Sequence, residues 1–100
     1  MVQKIKWTEQ SRNDLRNIYR FIARDSTRYA QIQIENIQES VSNLATFPLM
    51  GRNVPEFPHL SYREILVGNY RVIYRFEKEQ GQVIVMSVIH SKRLLKEPLN

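Results

Sequence analysis

The sequence predicts an α+β domain in which an antiparallel helix hairpin packs on a twisted antiparallel sheet. Three observations carry this. Apolar residues recur at helical spacing through the first half, a cluster of prolines with a glycine interrupts the chain near its middle, and three β-branched and aromatic runs fill the second half. The 100 residues match the length of one domain around one core, so residues 1–100 are read as a single domain.

Taken in order, residues 3–7 alternate Gln, Lys, Ile, Lys, Trp and predict a short strand, placed at a sheet edge by its lysines. Thr8 offers an N-cap. Leu15, Ile18, Tyr19 and Ile22 then fall at i, i+3, i+4 and i+7, the stripe of an amphipathic helix running to about Asp25. Asp25-Ser26-Thr27 breaks that helix and supplies a second cap, after which Ala30, Ile34, Ile37, Val41 and Leu44 mark a helix ending before Pro48. Two helices joined by so short a break predict an antiparallel hairpin. Pro48, Gly51, Pro55 and Pro58 mark a loop in which no regular structure is expected.

Residues 60–67, 70–77 and 82–89, separated by Gly68-Asn69 and Glu79-Gln80-Gly81, predict a C-terminal meander of three antiparallel strands. In the middle strand Tyr70, Val72, Tyr74 and Phe76 point one way and Arg71, Ile73, Arg75 and Glu77 the other, which predicts one core face and one charged face. The tail, residues 91–100, has no predicted place.

The chain has no cysteine, which excludes disulfides, thiolate chemistry and cysteine-ligated metals, and two lone histidines do not make a metal site. No cofactor and no metal are expected. No apolar run is long enough to span a bilayer, so the expected setting is cytoplasmic, with no membrane partner. Patterns for phosphate loops, dinucleotide folds, zinc peptidases and hydrolase elbows are missing. The net charge is +5, and 10 of the 15 basic residues are arginine, whose planar fork suits carboxylates and phosphates.

Two constellations use that charge. Arg12, Arg16, Arg20, Arg24 and Arg28 recur every four residues as a ridge beside the first helix's apolar stripe. The ridge is either a solvated face partly paired with Glu9, Asp14 and Asp25, or a docking face for an acidic partner or for nucleic acid phosphates. On the sheet, Arg63 and Arg71 lie in strands joined by a tight turn and are expected to project from one edge, building an anion cradle with Arg93. Glu56 and His90 are expected at its rim. A base, an acid and guanidinium groups together suit RNA cleavage: deprotonation of the 2′-hydroxyl, stabilisation of the phosphorane and protonation of the leaving oxygen. A strand-end His90 is equally read as a hydrogen-bonded structural residue. His59 is expected to be an exposed loop residue, and Trp7, Tyr62, Tyr70 and Tyr74 fall at core positions.

The order of Trp7-Thr8, Asp14-Leu15, Ile18, Pro48, Gly51-Arg52-Asn53-Val54-Pro55-Glu56, Arg63-Glu64-Ile65, Asn69-Tyr70-Arg71-Val72-Ile73-Tyr74, Val88-Ile89-His90 and Arg93 resembles the ParE/RelE superfamily of toxins from bacterial type II toxin–antitoxin modules, also called plasmid stabilisation proteins. The resemblance covers nearly the whole chain. It implies the RelE/ParE-like fold and a toxin neutralised by a cognate antitoxin, for which Arg12, Arg16 and Arg20 are the candidate contacts. It implies one of two targets: DNA gyrase, poisoned by ParE-like members, or the ribosome and its mRNA, cleaved by RelE-like members. Glu56, Arg71 and His90 match positions where some ribonuclease members carry a base, a phosphate-binding arginine and a terminal histidine. Against cleavage, Tyr62-Arg63-Glu64-Ile65 replaces the lysine-rich strand of RelE, Ser91 stands where RelE has a catalytic arginine, and no tyrosine follows Tyr74. The helices and the Gly-Arg-x-Val-Pro-Glu loop look more like the ParE branch, so gyrase poisoning is the favoured expectation. A metal-independent endoribonuclease is the alternative.

Overall fold

The computed structural model describes residues 2–99; Met1 and Asn100, the ends of the expected domain, lie outside the described residues. Strand β1 (Lys4–Trp7) leads into helix α1 (Glu9–Ala23), which Thr8 caps by accepting a hydrogen bond from the Ser11 amide. Helix α2 (Thr27–Ser42) follows at once, capped in the same way by Ser26 on the Tyr29 amide, and tightens into a 3₁₀ turn, Asn43–Ala45. Strands β3 (Tyr62–Val67), β4 (Tyr70–Glu77) and β5 (Gln82–His90) form the expected meander. Between Gly51 and β3 a short strand, β2 (Arg52–Asn53), departs from the irregular loop expected there: Arg52 and Asn53 pair with Glu64 and Arg63 on the outer edge of β3.

The sheet order is β1-β5-β4-β3-β2, so β1 is an edge strand, as its lysines predicted. It pairs with β5 in parallel, however, and the sheet is mixed where an antiparallel one was expected. The helix hairpin is the reason. It returns the chain to the start of β1, where the Gln3 amide donates to the Ala45 carbonyl, so β3 departs in the same direction as β1 and β5 shares it. Because β1 ends opposite Val85, α1 takes over along the second half of β5.

There the register slips: Tyr74 faces Val85 while Ile73 faces Ser87, leaving Met86 as a bulge. Helix α1 holds this bulge at three points. Thr8 Oγ1 donates to the Met86 carbonyl, and Asp14 Oδ2 accepts from Ser87 Oγ and from the Val88 amide.

The main core lies between the hairpin and one sheet face, with Ile37, Leu44, Val72, Tyr74, Val83 and Val85 fully enclosed. The opposite face, expected to be charged, carries a second apolar cluster of Val54, Tyr62, Ile73, Met86 and Ile89. Phe57, Leu60, Leu95 and Leu99 from the loop and the tail cover it. Alternation along β4 predicted which side chains share a face, but a cover built from two irregular segments leaves no periodic trace. Among the described residues, no helix is long and apolar enough to cross a membrane.

Candidate functional site

Arg71 sits at the centre of the second face with only 3% of its surface exposed. Its Nε donates to Glu64 Oε1 at 2.8 Å and Nη2 donates to the same oxygen at 2.6 Å. Nη1 and Nη2 grip the two oxygens of Glu56 at 2.7 and 2.8 Å, a bidentate fork, and Nη1 also donates to the Arg93 carbonyl at 2.9 Å. These bonds use all five N–H donors of a guanidinium. Glu64, equally buried, takes a second arginine on its other oxygen, Arg52 Nε at 2.7 Å. Two guanidiniums therefore balance two carboxylates, and the group is neutral.

Each partner arrives from a different segment: Arg52 from β2, Glu56 from the proline-rich loop, Glu64 from β3 and Arg71 from β4. The tail joins through the Arg93 carbonyl and through the Leu95 amide, which donates to Glu56 at 2.9 Å. Tyr62 Oη further bonds the Leu99 carbonyl. The Arg71 hydrogen bonds hold the Glu56 carboxyl down to about 2, against the opposing effect of burial, so Glu56 stays ionised and is a poor proton acceptor near neutral pH.

The expected anion cradle is not assembled. Arg63 shares its sheet face with Ile65 and Val67, which belong to the main core, and so points away from Arg71. There its Nη1 donates to the Gly51 carbonyl at 2.7 Å and pins the loop. His90 is also on the helix side, edge-on to Tyr70 with ring centroids 5.7 Å apart, and its Nδ1 accepts the Lys92 amide. The sheet therefore separates His90 from Glu56 and Arg71. Arg93 contributes its backbone to the ion network, while its exposed side chain lines grooves beside Asp14 and Ile89.

The five ridge arginines are exposed, and among the described residues none pairs with Glu9, Asp14 or Asp25. Asp14 turns inward to the β5 bulge instead. Arg12 and Arg16 rim a groove of about 320 Å³ between the helices, floored by Leu15, Tyr19 and Ile34; Arg20 does not line it. Tyr62, Tyr70 and Tyr74 are buried and Trp7 packs against the main core, as their positions predicted, and His59 is exposed. Among the described residues no three His, Asp or Glu side chains gather into a metal-binding group.

Sequence reasoning missed Glu64 and Arg52. The available signal was Glu64 itself, a carboxylate inside the apolar run of β3, since a buried charge requires a charged partner. Tyr74, placed in the core by its position, has a second part there: its hydroxyl donates to the Pro48 carbonyl at 2.7 Å and accepts the Gly51 amide at 3.0 Å.

A family model described as "ParE toxin of type II toxin-antitoxin system, parDE" matches residues 5–95. No curated protein sequence matches the chain. Among solved structures, the chromosomal ParDE toxin–antitoxin system of P. aeruginosa is similar at TM-score 0.74 and 19% identity, covering 91% of this chain and 98% of that one. The RelBE2 toxin–antitoxin complex of Mycobacterium tuberculosis is similar at TM-score 0.66 and 20% identity, with coverages of 90% and 99%. A mutant of E. coli toxin RelE in the free state follows at 0.64 and 18%, with 92% and 86% covered.

Proposed function

The chain belongs to the ParE toxin family of type II toxin–antitoxin systems, and on that premise we propose that it stops growth by binding DNA gyrase rather than by cutting RNA. The observation that supports binding is the saturation of Arg71. A phosphate-stabilising arginine needs a free N–H aimed at the reacting phosphate, and here Glu56, Glu64 and the Arg93 carbonyl take every one. Glu56, the expected base, is held ionised by its bidentate pair with Arg71, and His90 lies across the sheet from both. Glu56 and Arg71 then act as supports that hold the loop and tail in shape for a protein target.

Neutralisation by a cognate antitoxin is part of the same proposal, since the relatives from P. aeruginosa and M. tuberculosis are a toxin–antitoxin system and complex. The groove edged by Arg12 and Arg16 suits an amphipathic segment with acidic flanks, its apolar side on Leu15, Tyr19 and Ile34. Arg20 extends the cationic rim beyond the groove. The exposed side chain of Arg93, in the tail, and the half-buried Arg63, which donates to the loop carbonyl of Gly51, are offered as target contacts.

The test is purified protein with gyrase, ATP and supercoiled plasmid. Accumulation of linear DNA trapped in a gyrase complex is expected; unchanged gyrase activity at molar excess, with mRNA cut on ribosomes, refutes the proposal. For the antitoxin surface, Arg12→Glu with Arg16→Glu is expected to leave toxicity intact while abolishing rescue by the antitoxin. Full rescue of that variant refutes the assigned surface.

A further inference from the structure

Where α1 turns into α2, a cavity of about 330 Å³ opens against the start of β4 and the end of β5. Its walls are aromatic: Phe21, Tyr29, Tyr70 and His90, with Tyr70 and His90 set edge to face. Tyr70 is buried, while Phe21 and Tyr29 are 65% and 54% exposed. Asp25, an exposed residue, lines it as well. Among the described residues its carboxylate has no ion pair and no side-chain hydrogen bond, in a protein whose net charge is +5. The four grooves lined by Arg93, by Arg93 with His90, by Arg52 with Arg71 and by Arg12 with Arg16 all contain arginine; this cavity contains no Lys or Arg.

We propose that this aromatic cavity with Asp25 receives the cationic head of one arginine or lysine side chain from a partner protein. Rings offer their negative faces to a cation, and a carboxylate beside them neutralises it. Outside the cavity, the Arg24 guanidinium lies 5.8 Å from the centre of the Phe21 ring. The fold keeps the cavity open. Gly68, at φ +58, begins the two-residue β3–β4 turn against Gln33, and the Ser91 amide donates to the Asn69 carbonyl, fixing Tyr70 beside His90. The Lys92 amide on His90 Nδ1 sets the ring orientation. The charged and titratable groups around the cavity are Asp25, Tyr29, Tyr70 and His90 within it, Arg24 and Arg28 on the flanking helix ends, and Arg93 in the adjoining groove that shares Phe21, Tyr70 and His90; all three arginines are exposed. Those arginines repel an extended polycation, so the fitting occupant is a single cationic residue within an acidic stretch of protein. The cavity shares no residue with the antitoxin groove at Arg12 and Arg16, and it adjoins the groove that Arg93, offered above as a target contact, lines with Phe21, Tyr70 and His90.

The experiment is a ¹⁵N NMR titration of the full chain with a capped Glu-Glu-Arg-Glu-Glu peptide, against Glu-Glu-Gln-Glu-Glu and against spermidine. Saturable shifts are expected at Phe21, Asp25, Tyr29, Asn69, Tyr70 and His90 with the arginine peptide, at least about tenfold weaker with the glutamine peptide. Asp25→Asn and Tyr29→Ala, each at an exposed position, are expected to weaken the arginine peptide about threefold or more. Equal binding of the two peptides, an unchanged affinity in Asp25→Asn, or tighter binding of spermidine at these residues overturns the proposal.

Discussion

On the helix side of the sheet, Ile37, Leu44 and Tyr74 are enclosed by apolar neighbours from both helices and from β1, β3, β4 and β5, whereas on the other side the cover consists of an irregular loop and tail tied down through Arg71. The first arrangement spreads its stability over many weak contacts. The second concentrates it in one residue that meets two carboxylates and a carbonyl, so the two faces differ in how they fail. Truncating an apolar side chain leaves a cavity; removing Arg71 leaves Glu56 without an ion pair, Glu64 with Arg52 alone and the Arg93 carbonyl without its guanidinium donor.

That contrast is broken most forcefully at Arg71. Arg71→Ala is expected to lower unfolding free energy by about 3–5 kcal/mol in urea titration. A loss below about 1 kcal/mol would mean that the second face does not depend on its ion network. Acid separates the faces next. The folded pKa of Glu56, about 2, lies below its ordinary 4.5. Its contribution is therefore complete above about pH 4.5 and lost as pH falls through 2, an effect on the order of 3 kcal/mol. Thermal melts between pH 5 and 2 are expected to show it in the native protein and to flatten in Glu56→Gln; parallel curves would count against the pairing.

Gly51 sharpens the comparison where the two faces meet. A β-carbon there would lie 2.6 Å from Tyr74 Oη and 2.7 Å from the Glu64 carbonyl, so Gly51→Ala is expected to cost about 1–3 kcal/mol by differential scanning calorimetry. A melting temperature unchanged within a degree would show that the loop is less tightly held than its hydrogen bonds indicate. The smallest effect is reserved for Arg75, which pairs with Glu77 at 2.6 Å but is 34% exposed along its side chain. Arg75→Ala is expected to change stability by less than about 1 kcal/mol, and a loss comparable to that of Arg71→Ala would remove the distinction between a surface pair and the buried network.

The same contrast explains what could be read from the sequence. Periodicity located both helices, the meander and the ridge arginines, because each follows from spacing along one element, and residue type marked the cap at Thr8 and the break at Asp25-Ser26-Thr27, where Ser26 proves to be the cap. The parallel pairing of β1 with β5 and the β2 edge depend on how the hairpin and loop return the chain, which no local pattern encodes. Arg71 and Glu56 stood out by residue type, and the structure brings them together. Their relation is a closed ion pair, though, and it was Glu64, hidden in an apolar strand, that completed it. Arg63 and His90 were separated from them by strand alternation, a consequence visible only once the registers of β3, β4 and β5 were known.

The reading of Glu56 and Arg71 as supports rather than catalysts is tested most directly by inducing Glu56→Gln without antitoxin and pulse-labelling DNA and protein synthesis, with circular dichroism confirming that the variant is folded. The side chain keeps its shape and can still accept hydrogen bonds, but it is no longer a base. The expected result is undiminished toxicity, with thymidine incorporation stopping before methionine incorporation. A folded variant whose toxicity falls about 100-fold, from a wild type that stops methionine incorporation first, would contradict it and return Glu56 to the role of catalytic base.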